Sequence, residues 1–321
     1  MSVILDYFLK QQSEIRRAND QLILKIIRAF QVLFRSVQPN IENVRLTLEA
    51  NPKMTKAQIV RTGAYVDLIA QVSREIDDFA TYTKVEVQAS GIEGAALAVK
   101  HLRDFYGMND IQATIIPPDA LDVLAELLAP DGALSKRIEM WAPHAAEQVS
   151  KAIKDGAALG RNPRKIAADI TKAYGVGLTD ALRTTRTAQL YAYREATRLN
   201  YLANSNFIKG WIWLTALDDR TCMSCIAMHG TTHTLDEVLN DHHGGRCTMV
   251  PIIEGVDYEL LDSKEWFDAL DEAQKIKQMG AGKYSAYKDG LITLPQLTTT
   301  YLDPVYGEMR AETALKDLFN G

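Results

Sequence analysis

Apolar residues recur at helical spacing through the N-terminal third of the chain. Ile23, Ile27, Phe30 and Leu33 repeat every three or four positions, with Leu22, Ile26 and Val37 beside them, and residues 2–37 contain neither Gly nor Pro. This periodicity predicts one long helix or two joined ones, ended by Pro39-Asn40. A short helix over 41–50 follows, Asn51-Pro52 breaks the chain, and Thr55 stands where it would cap the next helix. That helix is expected to run to about Ala80 with Ile59, Val60, Tyr65, Leu68 and Ile69 inward, and Gly91 to separate it from a helix over 93–105. Residues 1–130 therefore read as an all-helical arm, suited to packing against other subunits or to a plain bundle.

Pro117-Pro118-Asp119 marks a boundary, with Pro118 in the first turn of a helix whose apolar face is Leu121, Leu124, Leu127 and Leu128. After the turn Pro130-Asp131-Gly132, a helix from Ser135 to Asp155 is expected to bend at Pro143. A Gly156 to Pro163 turn leads to a helix over 164–174 that Gly175 and Gly177 end, and residues 178–206 form another long helix. The pattern then changes. Trp211, Ile212, Trp213 and Leu214 predict a strand, and Thr248–Ile253 a second one. Residues 256–321 return to helices punctuated by Gly280, Gly282, Gly290 and Pro295. The fold class expected is mainly α, a helical arm (1–130) and a helical body (131–321) with a small zinc-stabilised β insertion at about 211–253.

The stretch between the two strands holds all three cysteines of the chain and four of its six histidines. Cys222 and Cys225, two residues apart, can grip one metal ion from a single turn, and a later pair closes a tetrahedron. His242 and Cys247 are that pair, with the layout Cys-x2-Cys-x16-His-x4-Cys. The expected metal ligands are Cys222, Cys225, His242 and Cys247, the ion is zinc, and its role is structural because four ligands leave no place for water.

Composition narrows the picture. The 321 residues carry a net charge of −5, whereas a chain devoted to wrapping nucleic acid is usually basic, so any DNA contact is local. Three clustered cysteines do not form a secreted disulfide framework. No run of 18 apolar residues exists, so no membrane partner is expected, and Met1 to Arg17 lacks the apolar core of a signal peptide. One face of the 178–206 helix gathers Arg183, Arg186, Arg194 and Arg198 within about a third of the circumference. That stripe either meets phosphate or an acidic partner, or is a solvated face in which Asp180 and Glu195 offset the arginines.

Enzyme signatures are missing. No His is followed by Glu as in His-Glu-x-x-His zinc proteases, and none has Glu two residues on as zinc deaminases require. Gly280-Ala-Gly282-Lys283 lacks the earlier Gly and the Ser/Thr of a P-loop. No catalytic residue is assigned. The alternative to a non-enzymatic role is a zinc-dependent nuclease or nucleic-acid-binding protein. Asp241-His242 resembles the opening of some His-Asn-His nuclease motifs, but His242 would then be consumed as a zinc ligand.

Taken in order, these features resemble the phage head morphogenesis proteins, also called Mu F-like minor head proteins. The resemblance covers roughly 145–321. It rests on Gly160-Arg-Asn-Pro163, Arg186-Thr187, Trp211 and Trp213, Asp219-Arg220-Thr221-Cys222-Met-Ser-Cys225, Gly230, and His242-His243-Gly244-Gly245-Arg246-Cys247. Trp266-Phe267, Gln274, Met279-Gly280 and the Tyr284 to Gly290 segment are similar to the family's closing helices. Where members show His-Pro-x-Cys-Arg-Cys, this chain has His243 for the Pro and Gly245 for the first Cys. Ala188 stands where an acidic residue is common. His242 and Cys247 are thus the best late ligands, with His243 or His233 in reserve. The resemblance implies a minor capsid protein of a tailed phage or prophage, at the portal vertex of the virion and in the host cytoplasm during assembly. The partners it implies are the portal protein and other head proteins, further copies of itself, and packaged DNA through the local basic stripe. Its implied work is head assembly, DNA packaging or DNA ejection.

Overall fold

The computed structural model describes residues 3–120, 122–129 and 131–319; Leu121 and Pro130, assigned above to a helix face and a turn, lie outside them. Helices α1 (Val3–Ala50), α2 (Lys56–Ile59) and α3 (Gly63–Met108) come first. Short α4 (Asp122–Leu127) and α5 (Ala133–Glu139) lead to α6 (Trp141–Ala158), α7 (Pro163–Tyr174) and α8 (Val176–Ala203). Then come β1 (Ile208–Leu214), α9 (Met223–Met228), β2 (Thr232–His233) and β3 (Thr248–Ile253). Helices α10 (Ser263–Ala269), α11 (Glu272–Met279) and α12 (Ala281–Lys288) precede a hairpin of β4 (Thr298–Asp303) and β5 (Gly307–Glu312). The fold is mostly helical with small antiparallel sheets, one ordered β2-β1-β3 and the other β4-β5. Among the described residues no helix is long and apolar enough to cross a membrane.

Several helices run past their expected ends. Pro39 lies inside α1. A mid-helix Pro costs roughly 3 kcal/mol, but Val37, Ile41, Val44 and Leu48 continue the buried face across it. Burying each such side chain stabilises by about 1.5–3 kcal/mol, so the helix wins. Gly91 is likewise inside α3; a helical Gly costs only about 1 kcal/mol, and Ala95, Ala98 and Leu102 bury the next turns. The expected bend at Pro143 is instead a break, with α5 ending at Glu139 and α6 starting at Trp141. The Pro143 ring would clash with the carbonyl four residues back, which is that of Glu139. Gly177 does not end α7 but sits in the first turn of α8. The capping box at Thr55 and Gln58 forms, as the sequence suggests. The β4-β5 hairpin is a correction to the all-helical tail: Thr298-Thr-Thr-Tyr301 is a run of β-branched and aromatic residues, and Asp303 accepts from the N–H groups of Val305 and Tyr306 to make the turn.

The chain divides into two compact units, one of Met1–Ala18, Gly91–Ala125 and Thr187–Gly321, the other of Asn19–Ser90 and Glu126–Arg186. The division falls inside α1, α3 and α8. The first unit has a core of Leu5, Phe8, Phe105 and Tyr106 packed with Trp211, Trp213, Cys225, Cys247 and Met249. Asn200 of α8 and Asn204, just after it, accept from the backbone N–H groups of Ile116 and Thr114, each at 2.8 Å, and so hold the segment after α3. The second unit is built on α6 against α7, with Phe30, Phe79, Trp141 and Tyr174 in aromatic contact.

Helix α3 meets α8 at Gly94, where an added Cβ would lie 2.7 Å from the Gln189 carbonyl oxygen. A Cβ at Gly107 would meet nothing. Gly94→Ala is therefore expected to lower the melting temperature, because backbone must shift. Gly107→Ala should leave it unchanged or raise stability by up to about 1 kcal/mol through helix propensity. Equal melting temperatures for the two variants would remove the close α3–α8 approach.

Candidate metal centre

The two strands read from the sequence pair directly. Strand β1 runs antiparallel to β3 in the register Trp213↔Met249 and Leu214↔Thr248. That register places Thr215 and Cys247 at the same end of the ladder, with the Thr215 Oγ1 2.9 Å from the Cys247 Sγ. The chain leaving β1 turns into α9, capped by Cys222, whose Sγ accepts from the Cys225 N–H at 3.4 Å. Helix α9 is short but anchored on two sides. Cys225 and Met228 enter the core that contains β1 and β3, while Met223 and Ile226 enter a second core with Phe267, Met279 and Leu297. The loop after β2 then brings Asp241 and His242 back to the cysteines.

Two overlapping groups of donor atoms result. The ligand atoms of Cys222, Cys225 and His242 lie within 4.8 Å of one another, and so do those of Cys225, Asp241 and Cys247. Cys225 belongs to both, and the two groups together take in the four residues expected from spacing. A cavity of about 150 Å³ adjoins them, lined also by Arg220, Arg246 and Gly244. His242 Nδ1 lies 3.0 Å from the His243 carbonyl oxygen, to which its N–H donates. The Nε2 lone pair of the neutral ring is thereby left for a metal ion, the arrangement that orients metal-ligating histidines.

Electrostatics favour an ion here. The adjacent Cys225 side chain, against the effect of burial, pulls the Cys222 pKa down to about 5, with His242 adding to the shift. Cys225 is pushed up by its two sulfur neighbours, Cys222 and Cys247, and by burial. Burial opposes charge on His242, but Cys222 and Asp241 push its pKa up to about 10. Three sulfurs and an imidazole crowded this way hold protons in common. A divalent soft cation could displace those protons.

Asp241 is the residue that spacing did not reveal. It is buried, and burial works against its charge, yet Arg194, His242 and the N–H groups of Cys247 and His242 hold its pKa below the usual carboxylate range. Its Oδ2 accepts from Arg194 Nη2 at 2.9 Å and from the Cys247 N–H at 3.2 Å; its Oδ1 accepts from the His242 N–H at 2.8 Å. Arg194 also donates to the carbonyls of Gly245 and Cys247, at 2.9 and 2.8 Å. A Cβ on Gly245 would fall 2.0 Å from the Asp241 carboxylate. Gly245, read above as the place of a missing cysteine, is thus the space into which Asp241 fits. Arg246 turns outward to pair with Asp218 through two hydrogen bonds of 2.6 and 2.5 Å, which ties the late ligand loop to the loop before Cys222. The sequence signal for this set was the Asp241-His242 pair, noticed only as a nuclease-like fragment.

The other candidate residues go elsewhere. His233 stacks on Trp211 with ring centroids 4.2 Å apart. His243 lies between the Thr187 hydroxyl and Asp303, both at 3.2 Å, and so joins α8 to the hairpin. Neither reserve histidine is among the grouped donors. The four-arginine stripe does not exist as one surface. Arg194 is buried on Asp241, and Arg198 is half-buried on Glu195, because their helix turns face the metal loop. Arg183 and Arg186 are exposed. Helical geometry places the four side chains on one side but cannot say what packs there.

Breaking a buried ion pair from one side costs about 3–5 kcal/mol. Asp241→Ala is expected to lower the unfolding free energy by that amount, and Arg183→Ala, whose pair with Asp180 is largely exposed, by under about 1 kcal/mol. Denaturant midpoints measure both; equal effects would remove Asp241 from its organising place.

No curated protein and no solved structure matches the chain. One family model does. Residues 147–250, from within α6 to β3, match the family described as Phage Mu protein F like protein.

Proposed function

We propose that this chain is a minor head protein of a tailed phage or prophage, associated with the portal and acting in head assembly, DNA packaging or DNA ejection. The observation that carries the reading is the family match over 147–250, which takes in the helices α7 and α8 and the whole metal stretch up to β3. Its site of action on this reading is the virion, and its partners are the portal and other head proteins. Arg183 and Arg186, the exposed members of the arginine set, are candidates for contact with DNA or a partner.

The reading includes a structural zinc ion held by Cys222, Cys225, His242 and Cys247. Three sulfurs and one nitrogen fill a tetrahedron and leave no position for water. The zinc would join the loop before α9 to the start of β3. The nuclease alternative needs a free general base and an open metal site. Here His242 is a ligand and Asp241 is spent on Arg194, so nothing favours it.

Metal analysis of protein purified without chelator should find about one zinc per chain. Cys225→Ser should lose it, melt earlier and become open to protease within 211–253. Folded, zinc-free wild type would sink the metal assignment, and plasmid cleavage lost in a folded His242→Ala variant would favour the nuclease. For the head reading, mass spectrometry of purified virions should find this chain together with portal protein. Its absence from both virions and assembly intermediates would overturn that reading without touching the metal centre.

A further inference from the structure

The net charge of the whole chain hides a division. Residues 19–90 and 126–186, one compact unit, carry 19 Lys and Arg against 15 Asp and Glu, a net of +4. The rest carries 17 against 26, a net of −9. The excess of the basic unit is equalled by one segment: residues 151–172 hold Lys151, Lys154, Arg161, Arg164, Lys165 and Lys172 against Asp155 and Asp169.

This segment is the α6–α7 hairpin. Gly156 lets the two helices close, since a Cβ there would lie 2.7 Å from Ile166 Cγ1, and Gly160 at φ +62° makes the turn. Lys56, Lys151, Arg161 and Lys172 line a groove of about 620 Å³ along the hairpin. Both of its carboxylates are already engaged. Asp169 is shared by Arg161 and Lys165, and Asp155 pairs with Lys56. Among the described residues no ion pair involves Lys151 or Lys172. The first turn of α7 carries Arg164 and Lys165 and no acidic residue, the unfavourable sign for a helix N-terminus. A bound anion would relieve both the crowding of cations and that helix end.

We infer that the α6–α7 groove is a docking surface for the phosphodiester backbone of a duplex nucleic acid, bound without regard to sequence. The groove has no aromatic side chain. It therefore lacks the anchor that protein interfaces use and the stacking platform that single strands need. What it offers is clustered positive charge on long, flexible side chains, which suits phosphates. The inference uses neither the metal centre nor the proposed place in a phage head.

The test is fluorescence anisotropy of the full chain with a labelled duplex of mixed sequence, between about 50 and 200 mM salt. Wild type should bind at low salt and weaken steeply as salt rises. The Lys151→Glu, Lys172→Glu double variant should lose two phosphate contacts: its log–log salt slope should fall by about 2 and its low-salt affinity by at least about tenfold. The milder Lys151→Gln, Lys172→Gln variant should show the same direction if charge reversal disturbs folding. Lys264→Glu, Lys288→Glu, which removes two ion-paired lysines from the acidic unit, should bind like wild type. The inference fails if wild type does not bind the duplex at low salt, if the groove variants bind as wild type does, or if the control loses as much. It also fails if a polyglutamate peptide takes the groove in preference to the duplex.

Discussion

The buried pair of Arg194 and Asp241 is the constraint on which the metal stretch depends. A carboxylate taken out of water is stable only when its charge and its lone pairs are all met. Asp241 meets them with a guanidinium from α8 and with the backbone N–H groups of His242 and Cys247. Two of the four candidate ligands therefore have their backbones set by the same carboxylate. Arg194 completes the arrangement by holding the carbonyls of Gly245 and Cys247. The loop is shaped by protein contacts before any ion is considered, and the same carboxylate reaches α9 through the Cys225 thiol, 3.4 Å from its Oδ1.

Around that point the fold works by giving each short element two anchors. Helix α9 has six residues, too few to persist alone. It persists because Cys225 and Met228 face one core while Met223 and Ile226 face another. The β4-β5 hairpin is held against the same region through Ser224 and Thr298, 2.7 Å apart, and through Asn240, whose carbonyl accepts from the Arg310 N–H at 2.7 Å. His243, in the place of a proline, adds a third tie by reaching Thr187 and Asp303. The ligand loop is thus fixed by side chains from α8 and from the hairpin, both far away in sequence.

Charge is organised on a larger scale. A negative total argues against nucleic-acid binding only when charge is spread evenly. Here one compact unit is basic and the other strongly acidic. Within the basic unit the excess sits on a helical hairpin whose close packing needs Gly156. The arginines of α8, by contrast, divide between an exposed pair and a pair used for internal contacts. A local positive surface and a buried structural cation look alike in one dimension.

The helical class, two of the three strands of the insertion, the cap at Thr55 and the clustering of Cys222, Cys225, His242 and Cys247 along the chain were legible in the sequence alone. These are set by local rules: apolar period, β-branched runs, capping residues and ligand spacing act over a few residues and need no distant partner. The sequence did not determine that α1 passes through Pro39 or α3 through Gly91, because burial along a helix outweighs a local breaker and burial is a property of what packs there. Nor did it determine the carboxylate behind the ligands. Asp241, Arg194 and Gly245 matter through contacts spanning up to 53 positions, and only the tertiary structure puts a guanidinium, a carboxylate and a missing side chain in one place.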